Sequence, residues 1–149
     1  MPQPALHLPG GMILLSRSII EDYEEPDVAA GYVLTEMTHH STKDPLRDLL
    51  QVVGARENFR LLTTGDVSDT ALDTYAEYLL TRPKTHPTLA TQLALFDAAE
   101  LRSTPYAYAV DITGESVLAL IEGDPMNGRL TAPLLSDSDW LRLQNICGG

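Results

Sequence analysis

The chain has 149 residues, of which 44% are hydrophobic and 21% are charged, and its formal net charge is −11. This length and composition predict a single folded domain, residues 1–149, and exclude a disordered chain or a membrane protein. A surface this acidic repels phosphate backbones and anionic bilayers, so we expect neither nucleic acid nor an anionic membrane as a partner.

The first part of the chain predicts a hairpin and a buried helix. Short apolar runs flank Pro9-Gly10-Gly11, a sequence suited to a tight turn between two strands. A helix is predicted from about Pro26 to His40, with proline in its first turn. This helix is apolar on nearly every side as far as Met37, which is typical of a centrally buried helix. We therefore place Met37, and Met12 of the hairpin, in the core.

Further helices follow from capping and turn signals. Asp44-Pro45 starts a helix that Gly54 ends, Ser68 caps another, and Pro87 opens a fourth. Near the end, "PYAYAVDI" is predicted to be extended, "GESVLALIEG" helical, and "SDSDWLRLQNIC" an amphipathic helix capped by Ser136 or Ser138. The fold class is therefore α+β, mainly helical, with a small hairpin and a buried central helix.

The central helix carries an incomplete zinc-peptidase motif, Thr35-Glu36-Met37-Thr38-His39. In the complete motif, H-E-x-x-H, two histidines on one helix face bind zinc and the glutamate activates the bound water. Glu36 and His39 occupy two of these positions, and Thr35 replaces the first histidine. A neutral hydroxyl is a poor zinc ligand, so we expect tight zinc binding to be lost.

The surroundings of this motif resemble those of the HtpX-like and CAAX-prenyl-endopeptidase zinc metallopeptidases, peptidase family M forty-eight. The residues that fall in the family's order are Leu8-Pro9-Gly10-Gly11, Ser16-Arg17, Glu36, His39 and Asp44-Pro45. The resemblance covers roughly residues 5–95, whereas residues 100–149 form an unrecognised extension of the same domain. It implies a zincin-like metallopeptidase fold.

The resemblance also implies a third zinc ligand on a later helix. It places Asp69 at the ligand-glutamate position and His86-Pro87 on a Thr/Ser-His-Pro segment of the family. Gln92 stands where the family usually has an arginine. Because Thr35, Asp69 and Gln92 all depart from the family at chemical positions while the scaffold positions are retained, the pattern indicates a fold that has lost its catalysis.

The first functional hypothesis is a degenerate, non-catalytic relative of zinc metalloendopeptidases with a binding or structural role. The cleft between the hairpin edge and the Glu36 helix would bind a peptide or protein segment, near Leu8, Gly10, Gly11 and Met12. No cofactor is expected, and zinc is expected only if the site is functional.

Two other hypotheses remain open. An active or weakly active metallopeptidase would use Glu36 as general base in a rebuilt site made from His39, Asp69 and one of His40 or His86. A Glu36-His40 pair could also hold a metal in a shifted register, completed by Asp69 or His86. Alternatively, the protein is a small soluble interaction module whose working surface lies after Leu101.

The sequence predicts a soluble chain with no membrane span, because no stretch approaches the roughly 20 apolar residues that a span needs. No signal peptide is visible at its start. The compartment stays open between the cytoplasm and the mature part of an exported or periplasmic bacterial protein.

Overall fold

The computed structural model of the protein describes residues 3–42 and 44–147, and the side chains of residues 39–42 and 147 lie outside that description. The described residues form a two-stranded antiparallel sheet and a set of helices, which confirms the predicted mainly helical α+β class. Within them, no helix is both long and apolar enough to cross a bilayer. The elements are β1 (Ala5–Leu8), β2 (Met12–Leu15), α1 (Arg17–Glu21), α2 (Pro26–Thr42), α3 (Pro45–Thr64), α4 (Asp69–Thr81), α5 (Leu89–Ala98), α6 (Thr104–Val110), α7 (Leu118–Glu122) and α8 (Asp137–Gln144).

The hairpin forms as predicted around two turn glycines with positive φ angles, 85° at Gly10 and 75° at Gly11. Leu6 pairs with Leu14, and Leu8 pairs with Met12. Because alternate residues of a strand point to opposite faces, these four side chains share one face of the hairpin. The opposite face carries Ala5, His7, Ile13 and Leu15.

Helix α2 is the central helix, and it packs against the hairpin, α1, α5 and α6. Its approach to α6 is very close, because a Cβ atom at Gly31 would lie 2.6 Å from the Cβ of Tyr106. The burial does not extend all round the helix. Met37 is 56% exposed and Met12 is 55% exposed, so their predicted place in the core is wrong. Met37 points about 100° away from its buried neighbour Glu36, onto a side of α2 that the described residues leave largely exposed.

The predicted helix starts are largely confirmed. The Ser68 side chain accepts a hydrogen bond from Ala71 N at the start of α4, and the Ser136 side chain does the same for Asp139 N at α8. Helix α5 was predicted to begin at Pro87, but it begins at Leu89 with Thr88 as its N-cap.

Two predicted elements need correction. Gly54, with φ 83° and ψ 172°, interrupts α3, but the helix resumes beyond it to Thr64. The segment "PYAYAVDI", predicted to be extended, is instead mostly helix α6. A proline in its first turn favours the helix, and Tyr106 and Ala107 are buried by packing against neighbouring helices. Tertiary packing thus overrides the strand preference of the tyrosines and valine.

The core consists of three clusters. One joins Phe96, Tyr106 and Leu120 with their neighbours on α2, and a second joins the hairpin to α3 and α4 through Leu6, Leu49, Tyr75 and Leu79. The third contains Ile19, Val28 and Trp140. Because α6 and α8 contribute to these clusters, the segment after residue 100 packs directly against the residues before it.

Candidate functional site

A cleft with a volume of about 280 Å³, here called the Glu36 cleft, opens beside α2. Helix α2 contributes Tyr32, Thr35 and Glu36, which lie on one face because residues three and four apart are neighbours on a helix. Helix α6 contributes Tyr106. The segment between α4 and α5 contributes Lys84 and His86.

Glu36 forms a salt bridge with Lys84 inside this cleft. Its Oε1 accepts from Lys84 Nζ, and only 5% of the Glu36 side chain and 18% of the Lys84 side chain remain exposed. Lys84 Nζ also donates to the carbonyl oxygen of Ala5 at 2.6 Å. A buried carboxylate needs a cation or hydrogen-bond donors nearby. Lys84 therefore supplies the positive charge that compensates Glu36.

The main chain of Glu36 is also tied to the hairpin. The His7 Nδ1–H donates to the Glu36 carbonyl oxygen at 3.3 Å, and His7 is buried. Because the acceptor is a carbonyl, this contact requires the proton on Nδ1. His7, which has no spacing partner in the sequence, thus orients the strand against the helix.

Thr35, at the position of the missing zinc ligand, is buried and hydrogen-bonded. Its hydroxyl donates to Gly31 O at 2.9 Å. Burial raises the pKa of the neighbouring Tyr106 hydroxyl, the Thr35 side chain partly offsets this rise, and the charge of Glu36 adds to it. Tyr106 of α6 lines the same cleft as Thr35.

Tyr32 adds a second hydroxyl to the cleft. Burial, and then the neighbouring Tyr106 and Tyr23 hydroxyls, raise the pKa of Tyr32 to about 12. Its hydroxyl donates to Ala109 O at 3.5 Å. At neutral pH the Glu36 cleft is thus lined by protonated phenols around one ion pair.

Of the other candidate ligand residues, Asp69 lies away from Glu36, whereas His86 lies in the same cleft. Asp69 is the exposed first residue of α4 and is not part of the cleft lining. His86 does line the cleft. The side chains of His39 and His40 lie outside the described residues, although their backbone belongs to α2. Within the described part of the chain, no group of three or more histidine, cysteine, aspartate or glutamate side chains is arranged to hold a metal ion.

The chain itself covers part of one hairpin edge. Ser16 N donates to Pro4 O at 2.8 Å, so residues 4 and 16 form a hydrogen-bonded pair. Because such pairs alternate with non-hydrogen-bonded pairs in an antiparallel ladder, the backbone N–H and C=O groups of Ala5 and Ile13 point outward, away from the partner strand. On the β1 side, Lys84 bonds to Ala5 O, and the Gln3 amide donates to Arg82 O at 3.2 Å. In the described sheet, β2 is paired with β1 alone, so no other strand is hydrogen-bonded to the outer edge of β2.

A second hollow, here called the hairpin groove, has a volume of about 570 Å³ and an almost entirely apolar lining. It lies between α4 and the hairpin face that carries Leu6, Leu8, Met12 and Leu14. Leu8 and Met12, predicted to border the Glu36 cleft, line this groove instead, while Gly10 and Gly11 form the adjoining turn.

Sequence reasoning missed Lys84, Tyr32 and Tyr106. A carboxylate on an apolar helix needs a cation or hydrogen-bond donors, and Lys84 is the described cation that pairs with it. Nothing in the spacing of the sequence points to Lys84, since it lies in a different segment from Glu36.

The chain matches no protein-family model, and comparisons with curated proteins and with solved structures give no match. The chemistry of the Glu36 cleft and the hairpin is therefore the basis for assigning a function.

Proposed function

We propose that the protein is a non-catalytic relative of zinc metallopeptidases with a zincin-like fold, and that its hairpin binds an extended peptide or protein segment. The salt bridge between Glu36 and Lys84 carries this proposal. In an active metallopeptidase the glutamate faces a metal-bound water and takes its proton. Here the carboxylate faces an ammonium group that compensates its charge.

The residues at the implied ligand positions do not fit a resident zinc ion. A zinc site needs three protein ligands that converge on one point at about 2.0–2.3 Å. Thr35 offers only a neutral hydroxyl that already donates to Gly31 O. Asp69 lies outside the cleft. His39 alone would not hold zinc tightly.

The hairpin supports a binding role because a strand edge binds an extended segment through backbone groups alone. Residues 82–84 cover the β1 edge near Ala5, where an incoming segment beside the Glu36 cleft would lie. The β2 edge, where the backbone groups of Ile13 point outward, is the better site for strand addition.

The catalytic half of the proposal is tested by metal content. Protein purified without chelator or polyhistidine tag is analysed by plasma mass spectrometry, as wild type, Thr35→His and Thr35→His/Lys84→Ala. We expect wild type to contain far less than one zinc per chain. One zinc per wild-type chain, with peptide cleavage that Glu36→Gln abolishes, would instead establish an active metallopeptidase with Glu36 as general base.

The binding half is tested by selecting peptides from a random displayed library against the wild type. The selected peptides are then measured against Ile13→Pro and the matched control Ile13→Val. Because the Ile13 N–H points away from β1, proline there removes an edge donor without removing a bond of the hairpin. We expect binding to survive Ile13→Val and to be lost in Ile13→Pro, with circular dichroism unchanged. Equal binding to both variants would contradict strand addition at β2.

A further inference from the structure

The hairpin groove exposes a concentration of apolar side chains. Met12 and Leu14 of β2 form one wall, Leu72 and Leu80 of α4 form the other, and all four are exposed. A volume of about 570 Å³ lies within the usual range of ligand-binding hollows. Contiguous exposed apolar surface of this kind marks interaction sites more often than scattered single residues do.

A row of acidic side chains runs beside this groove. Asp69, Asp73 and Glu77 are spaced four apart on α4, so they form one stripe, which lies next to the stripe that contains Leu72 and Leu80. All three are exposed, and among the described residues none of them takes part in a salt bridge. Asp69 in the first turn is favourable against the helix dipole, but the like charges of Asp73 and Glu77 one turn apart destabilise a helix, so the stability of α4 does not explain these two residues.

We propose that the hairpin groove binds an extended segment of a partner protein that combines apolar side chains with lysine or arginine. This inference rests on the peptide-binding role proposed above and adds the chemistry of the partner. A strand added to the outer edge of β2 would place alternate side chains over the groove. Leucine-like side chains fill it, while the long apolar stems of lysine or arginine cross it and bring their charges to Asp73 and Glu77.

Charge complementarity selects this occupant over two others. A second copy of the chain would bring another acidic row and another net charge of −11 to the interface. An anionic membrane would be repelled by the same row. A segment with both basic and apolar side chains can contact the acidic row and fill the apolar groove at the same time.

The probes are short fluorescein-labelled peptides that carry leucine and lysine in turn at every second position, with threonine between, so that both residue types share one face of the strand. They are compared with peptides of the same length that carry leucine and glutamate, or serine and lysine, at those positions. Binding is measured by fluorescence anisotropy to the wild type and to Asp73→Lys/Glu77→Lys. The matched control is Asp97→Lys/Glu122→Lys, which makes the same change in net charge at exposed positions on α5 and α7. All proteins are checked by circular dichroism and thermal unfolding.

We expect the leucine–lysine peptide to bind best and added salt to weaken its binding to the wild type. The Asp73→Lys/Glu77→Lys variant should bind it roughly tenfold more weakly, as expected for the loss and reversal of two surface charge pairs, and the control variant only slightly so. Met12→Ser/Leu80→Ser, at exposed positions, should weaken binding without unfolding the protein.

The inference is overturned if the leucine–glutamate peptide binds as tightly, if the charge reversal at Asp73 and Glu77 has no more effect than the control, or if the groove is closed in a dimer detected by sedimentation. If library-selected peptides lose binding in Ile13→Pro but not in the charge-reversal variant, the groove partner is wrong and the proposed function stands. If selection yields no binding peptide at all, the proposed binding function fails as well.

Discussion

The ammonium group of Lys84 joins two elements, since it bonds both to the Glu36 carboxylate on α2 and, at 2.6 Å, to the Ala5 carbonyl on β1. The main chain of Glu36 is bonded to the same strand, because His7 of β1 donates to the Glu36 carbonyl at 3.3 Å. The residue that would be a general base in a metallopeptidase is thus a contact point between the helix, the hairpin and the segment that precedes α5. Its role in this chain is to hold these elements together.

Breaking this ion pair from one side should destabilise the protein strongly. We expect Lys84→Met or Glu36→Leu alone to lower the free energy of unfolding by about 3–5 kcal/mol, because each leaves a buried charge without its partner. The double variant Glu36→Leu/Lys84→Met should lie within about 2 kcal/mol of the wild type. Urea unfolding of all four proteins gives the coupling energy, and losses that simply add in the double variant would contradict the pairing.

The close contact of α2 with α6 predicts an unusual sign for a glycine substitution. In an exposed helix, Gly31→Ala would raise the free energy of unfolding by up to about 1 kcal/mol. Here the added Cβ would lie 2.6 Å from Tyr106, so we expect a loss of about 1–3 kcal/mol from overpacking. Thermal and urea unfolding measure the change. A gain in stability would show that α6 does not pack on Gly31.

The phenol of Tyr32 predicts a loss of stability at alkaline pH. Its pKa rises from the model-compound value of 10.0 to about 12 in the folded protein, chiefly because of burial. Because the pKa is higher in the folded state, the full contribution of Tyr32 to the free energy of unfolding is present below pH 10.0. This contribution is lost as pH rises towards about 12. Tyr32→Phe should therefore flatten the dependence of unfolding free energy on pH in this window. An unchanged slope in the variant would contradict the assignment.

Asp124 predicts a loss of stability in acid. Burial alone would raise the pKa of its carboxyl, but hydrogen bonds from Thr104 and from Met126 N outweigh burial, so the pKa is lowered from 3.8. Because the pKa is lower in the folded state, the contribution of Asp124 to the free energy of unfolding is present above pH 3.8. It disappears as pH falls through the pKa that Asp124 has in the folded protein. We expect Asp124→Asn to be less stable than wild type at neutral pH, with the difference shrinking below pH 3.8. Urea unfolding across this range checks it, and a difference independent of pH would count against the hydrogen-bonded carboxylate.

Turns and helix starts were predictable where the residues that favour them lie within a few positions of them in the sequence. The turn glycines Gly10 and Gly11, and the capping serines Ser68 and Ser136, act on backbone groups beside them in sequence. The prediction failed for α6, where the strand preference of its residues is weaker than the packing of Tyr106 against Phe96 and α2. It also failed for Met12 and Met37, because periodicity identifies an apolar side chain but not whether another element covers it.

By itself the sequence determined a mainly helical α+β chain with a glycine-turn hairpin, capped helices, and an acidic residue, Glu36, on an apolar helix. Only the tertiary structure decided that the cation is Lys84, that Asp69 opens α4 outside the Glu36 cleft, and that Leu8 and Met12 face the hairpin groove. Turns and caps are formed by groups that are neighbours along the chain, so the local sequence is enough to predict them. The partner of a buried charge is chosen by how distant segments pack, and that depends on the path of every loop between them.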